Sequence, residues 1–485
     1  MSDISYVSLS DMHLGEEDSL LSVPLQDGNA IDPLQASPVM KRLADCLAEL
    51  IKHNQKKKPV LVLNGDILEL ALCTTNNAAM VFDRFIELTM KKDADKEPLF
   101  EEIIFIPGNH DHHIWEVARE SQYVNYLQKA NSLNSLLEDA RHTTNLFFHR
   151  QKIKVPSVML TNLLQRHQRA AGFEHLGTKE INVFYPNLGF VNEDGTRCVI
   201  FSHGHYIESI YNLMTNVKET LFPAQKRLLK INEIETENFA WVDFFWSALG
   251  RQGDAGRDVE IVYEKIQYEK GRADLINKLS AKLADMIDIP LVWDRLEPRL
   301  IASLIKLMVD IALGERSKRK EFLSEESEKG FKAFMEHPLY MQIIQENKKI
   351  PQDLTFVFGH THKPFQDVRQ FEGYPGRVKV YNTGGWVVEN PIDRDPLIGA
   401  SVVLVDDELN TTSIRLYNEA QSMSDYKVKV EQADSQANNQ FHNRIKALVD
   451  SDLNKKWQAF SKEAAFAVEQ RALNMKRRAE KAGYL

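Results

Sequence analysis

A series of short apolar runs, each ending in polar or charged residues, constrains the fold most strongly. YVSLSDMH, PVLVLNGD and EEIIFIPGNHD occupy the first part of the chain, and each apolar stretch has the length of a buried β-strand. Amphipathic stretches separate them: SPVMKRLADCLAELIKHN follows the first run, and MVFDRFIELTMKKD precedes the third. This alternation over the first ~110 residues predicts a sheet covered by helices.

Further strands are predicted closer to the C-terminus. INVFYPNLGFV and CVIFSHGHY flank NEDGTR, where Asp194 and Gly195 favour a tight turn, so the two runs predict a hairpin. LTFVFGHTH, RVKVYNTGGWVV, ASVVLVD and TTSIRLYN continue the strand pattern. We therefore predict a core formed by residues 1–206 and 351–418, with a mostly helical stretch at about 114–178.

Two segments outside this core have helical periodicity. Residues 207–350 include apolar residues at helical spacing, such as Leu275, Leu279 and Leu283, which predicts a large helical insertion or cap. Residues 419–485 are predicted to be a polar linker around SQANNQ followed by a C-terminal helix. The expected fold class is therefore α/β (α+β) with helical additions.

Charge and cysteine content exclude several classes of protein. Sixty Lys and Arg against 69 Asp and Glu give a net charge of −9, which does not favour a dedicated nucleic-acid binder. The scattered Cys46, Cys73 and Cys198 indicate neither a disulfide framework nor a thiolate zinc site. MSDISYVSLSD lacks a secretory pattern, and the apolar run at residues 300–313 is too short for a transmembrane segment. We expect a cytoplasmic protein.

Histidine, aspartate and asparagine recur at the ends of the predicted strands. Taken singly, each could be a turn or capping residue. Because strand ends of one sheet converge on one crevice, five such clusters in series predict a single site. Imidazole, carboxylate and amide oxygen together suit divalent manganese, iron, zinc or cobalt, and so many ligands require two ions. The candidate ligands are Asp11, His13, Asp66, Asn109, His203, His360 and His362.

The motifs DxH, GDxxE, GNHD, GH and GHTH resemble those of the calcineurin-like metallophosphoesterase superfamily, over residues ~1–110, ~180–206 and ~354–418. The resemblance implies an αββα fold, in which a two-sheet β-sandwich is flanked by helices. It implies that the first ion is held by Asp11, His13 and His362. The second would be held by Asn109, His203 and His360, with Asp66 bridging both. Manganese is favoured among the possible ions.

The resemblance also implies a reaction: attack of a metal-bridging hydroxide on a phosphodiester or pyrophosphate in a small nucleotide-like or lipid-linked substrate. His110 would be the catalytic histidine, with Asp111 beside it to orient the imidazole. His205, one alternation beyond His203, would contact substrate or support a ligand. Glu69 would accept a hydrogen bond from a histidine or the backbone.

His112 and His113 extend the histidine run and are interpreted as surface or supporting residues. The GDILEL stretch, the hairpin and the helical insertion also resemble the UDP-2,3-diacylglucosamine pyrophosphatases, which place a helical cap over the metals. In this chain GNHD replaces the GNRD-like form of that branch, and the substrate stays open. Two alternative functions are a DNA nuclease of the same superfamily and an inactive scaffold that binds protein partners.

An aromatic cluster in the insertion has three possible roles. It could line an acyl or nucleobase pocket, pack the interior of the cap, or form an apolar surface for a membrane or a second copy of the chain. Packing is the favoured interpretation, and the oligomeric state is not predicted. The cluster consists of Phe239, Trp241, Phe244, Phe245 and Trp246.

Overall fold

The computed structural model describes residues 2–26, 28–93, 97–130, 137–150, 154–248, 321–392, 394–451 and 453–481. Several features singled out in the sequence lie outside these described residues. They are the helical pattern at Leu275, Leu279 and Leu283, the apolar run at residues 300–313, and the side chain of Phe245.

A seven-stranded sheet forms one layer of the core, with strand order β12-β11-β10-β1-β2-β3-β4. Strands β1 to β4 are parallel, and β10 pairs antiparallel with β1. The first half of the chain and the segment near residue 400 therefore build one sheet. Its strands are β1 (Ile4–Leu9), β2 (Val60–Asn64), β3 (Glu102–Ile106), β4 (Asn182–Val183), β10 (Gly399–Asp406), β11 (Thr411–Asn418) and β12 (Lys429–Glu431).

A five-stranded sheet forms the second layer, with order β5-β6-β7-β9-β8. Its strands are β5 (Asn187–Val191), β6 (Arg197–Ser202), β7 (Asp353–Phe358), β8 (Phe365–Arg369) and β9 (Val378–Asn382). Val62 and Ile104 of the first sheet share one buried apolar cluster with Val199, Phe201 and Val357 of the second. The two sheets therefore pack face to face, which confirms the predicted sandwich.

Helices cover the outer faces of the sandwich. Ser37 caps the first helix by accepting a hydrogen bond from the backbone of Met40 at 3.0 Å, and Pro38 favours its first turn. Thr74 caps the second in the same way. The helices of the first half are α1 (Pro38–Ile51), α2 (Thr75–Met90), α3 (His113–Lys129) and α4 (Val158–Arg166). The apolar faces of α1 and α2 are buried, as the spacing of apolar residues predicted.

The described parts of the predicted insertion are mainly helical, with α5 (Leu213–Leu221), α6 (Ile231–Asp243), α7 (Glu325–Phe334) and α8 (Tyr340–Asn347). Phe331 of α7 packs against Phe356 and Phe358 of β7, so this segment covers the second sheet. The chain ends in α9 (Gln440–Asp450) and α10 (Asn454–Lys481). Within the described ranges, no helix combines the length and the apolar character needed to cross a bilayer.

Most described side chains of the aromatic cluster in the insertion pack against neighbouring residues of the protein. Trp246 is buried against Tyr211, and the indole N–H of Trp241 donates to the carbonyl of Ile210 at 2.9 Å. The Arg119 guanidinium lies 5.1 Å from the ring centre of Phe239. Phe244 is 59% exposed, so one member of the cluster faces solvent.

Two local expectations were wrong, and one strand was missed. INVFYPNLGFV is not one strand: β4 lies in the first sheet and β5 in the second, and the chain passes between them at Pro186. Strand β8 was not predicted, because its sequence FQDVR has little apolar alternation. β12 lies within the segment predicted to be a polar linker and pairs with β11 at the edge of the first sheet. Edge strands tolerate polar residues, which hides them from pattern analysis.

Candidate metal centre

The candidate ligands lie where strands of the two sheets end next to each other. Asp11, Asp66 and Asn109 follow β1, β2 and β3, while His203 follows β6. His360 and His362 follow β7. All of these side chains and that of His13 are buried. The fold therefore gathers the seven predicted residues into one interior site.

The backbone at this site is unusual, because several non-glycine residues have positive φ. Such conformations are rare for residues with a Cβ and persist only when surrounding contacts hold them. The N–H of Asp11 donates to the carbonyl of Gly65 at 2.9 Å, and the N–H of His360 donates to Asp11 Oδ1 at 2.9 Å. The strand-end loops therefore hold one another in place. The residues are Asp11 (φ 49°), His13 (φ 43°), Asp66 (φ 52°), His360 (φ 71°) and His362 (φ 57°).

Asp11, His13 and His362 form the first group of candidate ligands. The Nε2 atoms of His13 and His362 face each other at 3.2 Å, and His362 Nε2 is 3.5 Å from Asp11 Oδ1. The outer nitrogens contact carboxylates: His13 Nδ1 lies 2.7 Å from Glu69 Oε2, and His362 Nδ1 lies 2.6 Å from Glu389 Oε1. The two imidazoles thus point one nitrogen inward and one toward an acid.

Asn109, His203 and His360 form the second group. His203 Nε2 lies 3.0 Å from Asn109 Oδ1, 3.2 Å from His360 Nδ1 and 3.2 Å from Asp66 Oδ2. The same Asp66 oxygen is 4.0 Å from His13 Nε2. Asp66 therefore lies between the two groups, and one of its oxygens faces both.

The donor set fits divalent cations. A neutral imidazole carries one N–H, and an ionised carboxylate can only accept, so a carboxylate beside the outer nitrogen favours the proton there. The inner nitrogens of His13 and His362 then present lone pairs, and imidazole nitrogens that face each other at 3.2 Å require a cation or a shared proton between them. The groups Asp11–His13–His362 and Asp66–His203–His360 each bring their ligand atoms within 4.8 Å of one another.

Burial and nearby charges strongly shift the pKa values of the candidate ligands. Burial alone would raise the pKa of Asp66, but the imidazoles of His203 and His110 outweigh it and hold the pKa well below its usual value. Burial lowers the pKa of His203, yet the Asp66 carboxylate outweighs that effect and raises it to about 9. Burial lowers the pKa of His13 to about 4. Asp66 is therefore ionised, and its negative charge attracts a cation, which would displace the proton held by His203.

Glu69, and not Asp111, contacts the imidazole of His110. Glu69 Oε1 and Oε2 lie 3.0 and 2.8 Å from His110 Nδ1, and Oε2 also contacts His13. Two backbone N–H groups, those of Ala71 and Leu72, also donate to Glu69 Oε1 at 2.8 Å each. This carboxylate is thus anchored in the backbone and touches both imidazoles.

Asp111 has a different position from the one predicted for it. Its carboxylate accepts from the backbone N–H groups of Gly108 and Ile67 at 2.7 Å and of Leu68 at 3.2 Å. It therefore joins the loop after β3 to the loop after β2. Burial and the nearby Asp66 raise its pKa to about 7. The expectation that Asp111 orients His110 was wrong because neighbours in a turn point in different directions.

His205 lies near the site, but not on the strand face proposed for it. β6 ends at Ser202, and Gly204 turns the chain with φ 103°, so His205 begins a short 3-10 helix. It is buried, with its ring centre 5.6 Å from that of His203. Its Nε2 is 3.1 Å from the Tyr185 hydroxyl. A positive φ at glycine ended the strand alternation on which the prediction depended.

His112 and His113 join the core to the described helical insertion. His112 is fully buried, with Nε2 3.0 Å from Glu235 and Nδ1 3.4 Å from Asp243, both on α6. His113 Nδ1 is 3.0 Å from the same Asp243. Burial lowers the pKa of His112, but Glu235 outweighs it and raises it to about 9. His112 is therefore a buried ion-pair residue rather than a surface residue.

Sequence reasoning missed two carboxylates beside the candidate ligands. Glu208 Oε1 lies 2.9 Å from His360 Nε2, and Glu389 Oε1 is the atom beside His362. Neither belongs to a strand-end motif. No spacing rule in the sequence connects them to histidines more than 20 residues away, so the sequence carried no signal for them.

Comparison with known proteins agrees with this architecture. A family model described as calcineurin-like phosphoesterase matches residues 5–260, just over half of the chain. The match gives no evidence for the UDP-2,3-diacylglucosamine pyrophosphatase branch. Comparison with curated proteins gives no match. The two-sheet fold and the extent of the family match together show that the chain belongs to the calcineurin-like phosphoesterase family.

Proposed function

We propose that this chain is a two-metal phosphoesterase that hydrolyses a phosphodiester or a pyrophosphate. One observation carries the proposal: two pairs of buried imidazoles, each with nitrogens facing at 3.2 Å, lie on either side of the Asp66 carboxylate. A site that only supported the fold would pair each inner nitrogen with a donor. Imidazole nitrogens that face each other on both sides of a shared carboxylate are instead the ligand arrangement of a two-ion site.

The ligands divide by geometry. Asp11, His13 and His362 would hold the first ion, and Asn109, His203 and His360 the second. Asp66 would contact both, since its Oδ2 faces a histidine of each group. The mixed nitrogen and oxygen donors suit manganese first, with iron, zinc or cobalt as alternatives.

When bound, two divalent ions would neutralise phosphoryl oxygens and lower the pKa of a water molecule. His110 would donate a proton to the leaving oxygen, because its imidazole lies beside the first group, with its ring centre 4.8 Å from that of His13. Glu69 would hold His110 in position by contacting Nδ1, which leaves Nε2 to face the substrate. Asp111 would keep the two loops together.

The proposed substrate follows from the chemistry of the two ions. It is a phosphodiester or pyrophosphate in a small nucleotide-like or lipid-linked molecule, since two cations would bind its phosphoryl oxygens. The test is metal analysis of the purified protein, coupled to hydrolysis of aryl phosphate monoesters and diesters, nucleotides and UDP-linked lipids. About two ions per chain and metal-dependent turnover of at least one diester or pyrophosphate are expected.

Two variants make the test specific. His110→Ala should retain both ions and lose turnover, since His110 is outside the proposed ligand set. Glu325→Gln is the matched control, because that side chain is 84% exposed on α7 and forms an ion pair with Lys329 of the same helix. Metal-loaded protein that hydrolyses none of these esters would refute the proposal, and undiminished turnover in His110→Ala would refute the role of His110.

A further inference from the structure

Two acidic residues outside the motifs distinguish the two proposed ion positions. Glu208 contacts the outer nitrogen of His360, in the second group, and Glu389 contacts that of His362, in the first. Their side chains are 14% and 16% exposed, so water screens these contacts little. We propose that Glu208 sets the affinity of the second ion position and Glu389 that of the first. This inference rests on the proposed two-metal function.

Glu208 is held firmly beside His360. It lies between two short 3-10 helices, and the Asn212 side-chain amide donates to its carbonyl at 3.1 Å and to that of Tyr206 at 2.9 Å. The ring of Tyr211 meets that of His360 edge-on, with centroids 5.1 Å apart. The start of the helical insertion therefore contacts the candidate ligand His360 through Glu208 and Tyr211. The insertion thus contributes to the surroundings of the second ion position.

Glu389 is held by a different part of the molecule. The N–H of Val388 donates to the carbonyl of Asp18 at 3.1 Å, and that of Trp386 to the carbonyl of Asp11 at 3.1 Å. These backbone hydrogen bonds join the segment that carries Glu389 to the loop after β1, which contributes Asp11 and His13. Each acid belongs to the structural neighbourhood of one ion position and not of the other.

Two physical effects connect these acids to metal binding. A carboxylate at the outer nitrogen favours the N–H on that side, so the inner nitrogen keeps its lone pair for a metal. Its negative charge also raises the electron density of the imidazole and attracts the cation. Loss of such a partner typically weakens metal affinity by about 10–100-fold. Glu69 has the same place at His13, but it also contacts His110 and is therefore unsuited to a clean test.

The experiment measures binding of Co²⁺ to metal-free protein by calorimetry and by cobalt absorption, neither of which depends on turnover. Glu208→Gln and Glu389→Gln keep side-chain shape and remove the charge, with Glu325→Gln as the exposed control. Each is also made in two backgrounds. His203→Ala leaves the ligands of the first position, and His13→Ala leaves those of the second. Thermal melting of the metal-free variants verifies that each one folds.

Glu208→Gln should weaken Co²⁺ binding about 10–100-fold in the His13→Ala background and by less than about threefold in the His203→Ala background. Glu389→Gln should show the reverse. Equal effects in both backgrounds, or no effect in either, would overturn the inference while leaving the two-metal proposal intact. Wild-type protein that binds no Co²⁺ would instead refute the two-metal proposal itself.

Discussion

Two buried polar clusters lie close together in this protein and differ in how their groups are satisfied. At the metal centre, imidazole nitrogens face each other at 3.2 Å with Asp66 between the groups. Where α3 meets α6, both nitrogens of His112 face acids, Glu235 and Asp243, and the Tyr206 hydroxyl donates to Glu235. The α3–α6 cluster pairs donors with acceptors internally, whereas the facing nitrogens of the candidate metal centre need a cation or a shared proton between them.

The difference in how their polar groups are satisfied predicts a functional role for the candidate metal centre and a stabilising role for the α3–α6 cluster. A cluster whose lone pairs converge is costly by itself and is useful only when a ligand completes it. A cluster with matched charges instead joins two elements, here the core and the helical insertion, and losing one partner leaves the other buried without compensation. We therefore expect changes at the metal centre to affect turnover and metal binding, and changes at His112 to affect folding.

Asp66→Asn should have the largest effect. The asparagine amide keeps an Oδ1 acceptor for the backbone N–H of His110, but it removes the negative charge that both ion positions would share. We expect kcat/KM to fall by at least about 10³-fold, which corresponds to about 4 kcal/mol. Steady-state kinetics with a diester substrate and metal analysis measure this. Retained turnover would show that the Asp66 charge is dispensable and that the two clusters do not differ as proposed.

His112→Ala should destabilise the fold more than any other change at the α3–α6 contact. It leaves Glu235 and Asp243 facing a cavity, and breaking a buried pair costs about 3–5 kcal/mol. Urea unfolding of the metal-free protein measures it. His113→Ala is the matched control, since that side chain is 22% exposed and its ion pair should contribute about 0–1 kcal/mol. Equal effects of the two substitutions would contradict the buried ion pair.

Metal removal should destabilise the protein through the candidate metal centre and not through the α3–α6 cluster. An ion that binds only the native state stabilises it by about 2.7 kcal/mol at one hundred times its Kd. A chelator should therefore lower the Tm of the wild type and leave that of Asp66→Asn almost unchanged. The loss in His112→Ala should add to the loss from chelation, because Glu235 and Asp243, the partners of His112, are not candidate ligands. A Tm insensitive to chelation would count against a metal-stabilised centre.

The pH dependence of stability should show the smallest effect and a defined sign. Glu235 raises the pKa of His112 to about 9 in the folded protein, above the usual 6.5. The stabilisation is therefore fully present below pH 6.5 and is lost as the pH rises through about 9. The difference in free energy of unfolding between wild type and His112→Gln should shrink across that interval. A constant difference from pH 6 to 10 would show that His112 is not charged in the fold.

Much of the fold could be predicted from apolar runs and their spacing. Strands β1, β2, β3, β6 and β7 end at the motifs that pointed to them, and α1 and α2 bury the faces that their periodicity indicated. The edge strands β8 and β12 were not predicted, because edge strands accept polar residues and so lack a clear apolar pattern. The change of sheet between β4 and β5 also escaped, since an apolar run does not show which sheet it joins.

The sequence by itself determined which residues come together at the strand ends, because parallel strands present their C-terminal ends on one edge and the motifs mark those ends. The sequence marked Glu69 as an acceptor for a histidine or the backbone, but only tertiary structure decided which imidazole each acid contacts. Glu69 rather than Asp111 contacts His110, and Glu208 and Glu389 reach histidines far away in the chain. Local spacing cannot specify such pairs, because side-chain directions in left-handed turns and contacts across sheets exist only after the sandwich has formed.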